Sequence, residues 1–113
     1  MVQDSKIIEY AILEIRNLLK YAPVDQIDIE NAINLRLKLI EYVAPMIELT
    51  EHGLCMTWSR NELIFENGLI YYFRYDKDRI FSWKPVEIGG GVDEGLFHDG
   101  LLDKLKRDLS KCQ

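Results

Sequence analysis

The chain reads as an α+β fold: an N-terminal helical hairpin, a four-stranded antiparallel β-meander and a C-terminal helix. Three observations predict it. Eight of the twelve aromatic side chains fall within residues 53–88. Asn67-Gly68 stands between two β-rich runs, Leu63 to Glu66 and Leu69 to Tyr71. Both central residues of a type I′ turn need φ > 0, which glycine adopts freely and asparagine tolerates. Before and after this region, apolar residues recur at helical spacing.

The first helix is expected from about Ser5 to Tyr21. Asp4 or Ser5 can cap it, and Ile8, Ile12, Ile15 and Leu19 share one face. Pro23 disfavours helical geometry at Ala22 and ends it. Asp25 then caps a second helix, with Asp28 and Glu30 in its first turn, where carboxylates meet the positive end of the macrodipole. Its apolar positions are Ile29, Ala32, Ile33, Leu37, Ile40, Val43 and Ala44. Leu35, Leu37 and Leu39 also alternate as a strand would. The cap, the length of the run and the lack of glycine favour helix. Pro45 closes or kinks that helix, and Met46 to His52 reads as a short helical turn.

Strands follow near Leu54–Trp58, Glu62–Glu66, Leu69–Tyr75 and Arg79–Trp83, the last extending toward Ile88. The connections Ser59-Arg60-Asn61, Asn67-Gly68 and Asp76-Lys77-Asp78 are too short for anything but antiparallel neighbours. The Asn-Gly register pairs Phe65 with Ile70 and Leu63 with Tyr72 on one face. Ile64 with Tyr71 and Glu62 with Phe73 share the other. Both faces carry large apolar groups, and the pattern does not say which one the helices cover. Gly89-Gly90-Gly91 reads as a flexible connector. A last helix runs from about Leu96 to Ser110, with Phe97, Leu101, Leu102, Leu105 and Leu109 as its buried stripe.

At 113 residues and 48% apolar content the chain fits one ordinary domain. Its apolar runs stay far below the roughly 18 residues of a membrane span, and the N-terminus lacks a signal-peptide layout. Cys55 and Cys112 do not make a disulfide framework, so a reduced, cytoplasmic setting is expected. Net charge is −5, and residues 1–52 hold nine acids against five bases. A nucleic-acid or membrane-surface binder concentrates positive charge instead. Such a balance serves first to keep a small domain soluble, and beyond that it favours a protein partner with a basic surface.

Candidate chemistries are thin. The glycine run lacks the spacing of a dinucleotide or P-loop fingerprint, and Asp93 and Glu94 would repel an anion there. His52 and Cys55 have a spacing that a metal could use, but only His98 and Cys112 remain as further soft ligands. Neither Cys55 nor Ser59 lies in a nucleophile elbow. Leu69 to Tyr75 lacks the glycine-aromatic motif of sheet-based RNA binders. No cofactor is expected.

These residues predict a small, acidic, non-enzymatic protein-binding module of inhibitor, immunity or adaptor type. Tyr71, Phe73 and Tyr75 would bind on the sheet, with Glu62 and Arg74 at the rim. Asp25, Asp28 and Glu30 offer a second, acidic surface. One alternative is a small-molecule-binding domain or small enzyme with a pocket between helices and sheet, lined by Trp58, Trp83 and His98. Another is a homodimer closed by the aromatic face.

Overall fold

A computed structural model describes residues 5–18, 24–51, 53–77, 85–92 and 97–111. Helix α1 (Ser5–Leu18) and helix α2 (Gln26–Lys38) pack side by side ahead of the sheet. Five strands follow: β1 (Met46–Thr50), β2 (Gly53–Thr57), β3 (Asn61–Glu66), β4 (Leu69–Arg74) and β5 (Glu87–Val92). They form one antiparallel sheet in chain order: β1 to β4 make a four-stranded meander, in which β2, β3 and β4 are expected strands and β1 is an addition, and β5 extends it. A turn of π-helix (Phe97–Leu101) runs into helix α3 (Leu102–Ser110).

The Asn-Gly turn forms as its chemistry requires, with φ of 54° at Asn67 and 81° at Gly68. It sets the β3–β4 register at Phe65 with Ile70, Ile64 with Tyr71, Leu63 with Tyr72 and Glu62 with Phe73. The helices cover the Leu63 and Tyr72 face. Ile15, Ile29, Ala32, Leu35, Phe97, Leu105 and Leu109 meet Leu54, Met56, Leu63, Phe65, Ile70 and Tyr72 in one core. Period-two alternation does the rest. On β3, Asn61, Leu63 and Phe65 are buried, while Glu62, Ile64 and Glu66 are half-buried on the far side.

Three local expectations change. Met46–Thr50 is an edge strand rather than a helical turn. Its alternation puts Ile47 and Leu49 against the core and leaves Met46, Glu48 and Thr50 outward. Pairing with β2, where Ile47 faces Met56, supplies ladder bonds that five residues of helix could not match. To reach that position α2 ends at Lys38, well short of Pro45. Val43, expected on the buried stripe, is therefore exposed, and its carbonyl accepts the Trp58 indole N–H at 2.8 Å. Leu35 and Leu39 take the core positions instead.

The glycine run is the second change. Gly89 to Gly91 lie within β5, whose pairing begins near the Val86 N–H bond to the Arg74 carbonyl at 2.8 Å. Val92 stands opposite Ile70 and Gly89 opposite Tyr72, so three steps on β5 answer two on β4. That extra residue is a bulge, which glycine accommodates. A flexible local sequence becomes a strand because β4 offers an unpaired edge. The third change is in the last helix, where residues 97–101 form a wider turn than the α-helix that follows. The strand expected at Arg79–Trp83 lies outside the described residues.

Candidate functional site

The face of the sheet opposite the described helices is built by the alternate residues of four strands. Glu48 on β1, Cys55 on β2, Ile64 on β3 and Tyr71 on β4 lie in one row across it. Phe73 and Leu69 flank Tyr71, and Glu62 and Glu66 flank Ile64. Cys55 is 2% exposed, and its Sγ lies 3.4 Å from Thr50 Oγ1. Ile64, Leu69, Tyr71 and Phe73 are only half-buried. Met46, at the edge, is 64% exposed. Among the described strand residues, this face carries three carboxylates and no Lys or Arg. Apolar rings with an acidic rim form a surface that water solvates poorly at its centre and cations approach readily.

The expected binding residues divide between this face and other roles. Tyr71, Phe73 and Glu62 come together on it. Tyr75 is buried just beyond β4, where its hydroxyl donates to Glu62 Oε1 at 3.1 Å and its N–H to the Arg60 carbonyl at 2.8 Å. It braces Glu62 rather than offering a contact surface. Arg74 alternates to the helix side of β4. Asp25 and Glu30 are exposed on α2, but Asp28 is only 4% exposed and points the other way. Its Oδ1 accepts the Gly68 N–H at 2.7 Å and its Oδ2 the Asn67 N–H at 3.0 Å. Asp28 thus fastens α2 to the hairpin turn, and the acidic helix surface lacks it.

A second arrangement lies at the end of the sheet. The Asn61 side-chain amide, 1% exposed, donates to the Tyr72 hydroxyl at 2.8 Å. That hydroxyl donates to Asp108 Oδ2 of α3 at 2.5 Å. The relay borders an open cleft of about 520 Å³ lined by Ser59, Arg60, Asn61, Arg74, Tyr75, Asp76, Asp108 and Lys111. Burial, then the bond to Asp108, pushes the Tyr72 phenol well above its ordinary range. The native state therefore holds its proton at pH values where the unfolded chain has released it. Tyr72 stabilises the fold fully below pH of about 10, and that contribution declines as pH rises beyond it. Urea melts should show stability falling by up to about 1.4 kcal/mol per pH unit above pH of about 10, in excess of the Tyr72→Phe variant. Parallel pH profiles for the two proteins would contradict the assignment.

Sequence reasoning passed over this relay. Asn61 looked like a turn residue and Tyr72 a packing partner. The available signal was Asp108, which extends the Leu101 and Leu105 spacing and so puts a carboxylate beside an apolar stripe. Of the expected pocket residues, Trp58 is buried in the core, and Trp83 and the His98 side chain lie outside what is described. His52 and Cys112 also lie outside the described residues. Arg36 is a further buried polar group, 7% exposed, whose Nε and Nη1 have no hydrogen-bond partner among the described residues. Burial lowers its pKa and Glu14 opposes that shift.

No group of three or more potential metal ligands occurs among the described residues, and none of their helices is long and apolar enough to cross a membrane. No protein-family model, curated protein or solved structure matches the chain.

Proposed function

We propose that this protein is a small non-enzymatic binding module, of inhibitor, immunity or adaptor type, that docks a basic protein surface on the sheet face opposite the described helices. One observation carries this reading: Ile64, Tyr71 and Phe73 remain partly exposed within a rim of Glu48, Glu62 and Glu66. Aromatic residues dominate interface energetics when a partner seals them from water. The carboxylates select the partner's sign, and the net charge of −5 speeds its approach.

The acidic rim also argues against a symmetric dimer through this face. Face-to-face copies would bring carboxylates of the same three residues toward one another, and like charges across an interface cost several kcal/mol. Sedimentation of the isolated protein should therefore report a monomer.

The test is affinity capture from the native cell, followed by reconstitution with the purified partner. The partner should carry a basic patch, and Phe73→Asp should weaken its binding by at least about 100-fold, as expected of an interface anchor. Circular dichroism should show that the variant keeps its fold. If Phe73→Asp unfolds, Tyr71→Asp replaces it as the probe. Undiminished binding by a folded variant at either position would overturn this reading.

A further inference from the structure

We propose that the cleft at the end of the sheet is a binding site for a small hydroxylated organic phosphate, a phosphate monoester of the sugar-phosphate or nucleoside-monophosphate class. This site is separate from the aromatic face and does not depend on the protein-binding reading.

Charge distribution points first. The cleft adjoins a groove along α3 lined by Lys104, Arg107, Asp108, Ser110 and Lys111, and the two share Asp108 and Lys111. Across both, five Lys and Arg side chains face two carboxylates, in a chain whose net charge is −5. Five of the chain's fourteen Lys and Arg residues thus line one concave place. Guanidinium forks recognise phosphate oxygens in pairs, and ammonium groups add point charge.

A carboxylate in the lining of the cleft narrows the ligand class. Asp108 is held by the Tyr72 hydroxyl, which is itself held by the buried Asn61 amide. Such a prearranged carboxylate accepts hydrogen bonds well, because little ordering remains to be done when a ligand arrives. An ionised carboxylate has about four lone-pair directions, so its bond from Tyr72 is compatible with one from a ligand hydroxyl. Phosphate against the cations and a hydroxyl against Asp108 together describe a sugar phosphate. The volume of about 520 Å³ falls in the usual range for a small-molecule site.

A polymer fits less well. Asp76 and Asp108 would meet successive phosphates of a nucleic-acid strand, and the negative chain as a whole would repel it. Monoesters avoid both penalties by presenting a single anionic group.

Isothermal titration calorimetry of the full chain at about 0.15 M salt tests the assignment, since screening there removes diffuse ion binding. The probes are ribose 5-phosphate, adenosine monophosphate, 2-deoxyribose 5-phosphate, inorganic phosphate and a single-stranded DNA oligonucleotide. At least one of the two ribose phosphates should bind saturably and more tightly than inorganic phosphate. Arg60→Glu combined with Lys111→Glu should weaken that binding by at least about tenfold. Both residues are exposed, so circular dichroism should not change. Phe73→Asp should leave the affinity as it was, which separates this site from the protein-binding face. Four results would overturn the proposal: no saturable heat, equal affinity for inorganic phosphate, preference for the oligonucleotide, or indifference to the charge reversals.

Discussion

Asp28→Ala is expected to remove about 3 to 4 kcal/mol of folding stability, the sum of two charge-assisted hydrogen bonds to backbone amides. Both bonds end on one hairpin turn, at Asn67 N and Gly68 N, and both reach across the molecule from α2. Asn31, one turn later on the same helix, donates its side-chain amide to the Gly68 carbonyl at 3.4 Å. The turn is thus held from both sides of its peptide units. The alanine variant would leave two partly buried N–H groups without acceptors, the expensive direction of the asymmetry between unmade and replaced bonds. Asp28→Asn keeps one acceptor oxygen, so that variant should lose about half as much. Urea denaturation measures both. Native domains are stable by only about 5 to 15 kcal/mol, so the alanine loss would move the midpoint plainly at unchanged slope. A loss below about 1 kcal/mol would mean that water replaces the carboxylate, leaving the clamp energetically idle.

Gly53→Ala should be comparably damaging, by about 2 to 4 kcal/mol, for a reason of shape rather than charge. Gly53 opens β2 with φ of +117°, a backbone state that side-chain-bearing residues rarely adopt. A Cβ there would stand 2.6 Å from the Phe65 carbonyl oxygen. That oxygen belongs to the backbone of β3, next to the pairing of Phe65 with Leu54. It has no rotamer to give, so the strands must part or the turn must refold. Thermal melts of the variant should show a lower midpoint, and amide exchange should quicken first in β1 and β2. Wild-type protection in those strands would show that the hairpin absorbs the methyl group elsewhere.

Much of the fold was legible because its strongest signals are local. The Asn67-Gly68 turn and the alternation on either side of it were enough for the β3–β4 register, pair by pair. The stripe of Phe97, Leu101, Leu102, Leu105 and Leu109 likewise predicted which side of the last helix faces the core, where all but the partly buried Leu101 are buried. Met46–Thr50 carried a strand alternation too, but five residues next to a proline do not separate helical turn from edge strand. Gly89 to Gly91 carried no strand propensity whatever. Their pairing comes from the edge of β4, whose Tyr72 lies opposite Gly89 and whose Ile70 lies opposite Val92.

The binding residues were legible in proportion to how much of their role is set by parity. Tyr71, Phe73 and Glu62 were placed together by alternation alone, and they do share a face. Asp28 went elsewhere because a carboxylate in the first turn of a helix suits the macrodipole whichever way it points. Its inward direction depends on the hairpin lying beneath α2. Asp108 was overlooked for the converse reason: a charged residue beside a leucine stripe gains meaning only once Tyr72 stands opposite.

From its residues alone, this chain settled its element types over most of its length, the central hairpin and its register, and the membership of each sheet face. Those properties depend on φ preferences and side-chain period, which act over two to four residues. Tertiary structure alone decided that the helices lie over Leu63 and Tyr72, and so left Ile64, Tyr71 and Phe73 within their acidic rim. It also created the Asn61–Tyr72–Asp108 relay and the cationic cleft. Both join residues dozens of positions apart, and only packing in three dimensions brings such groups within hydrogen-bond reach.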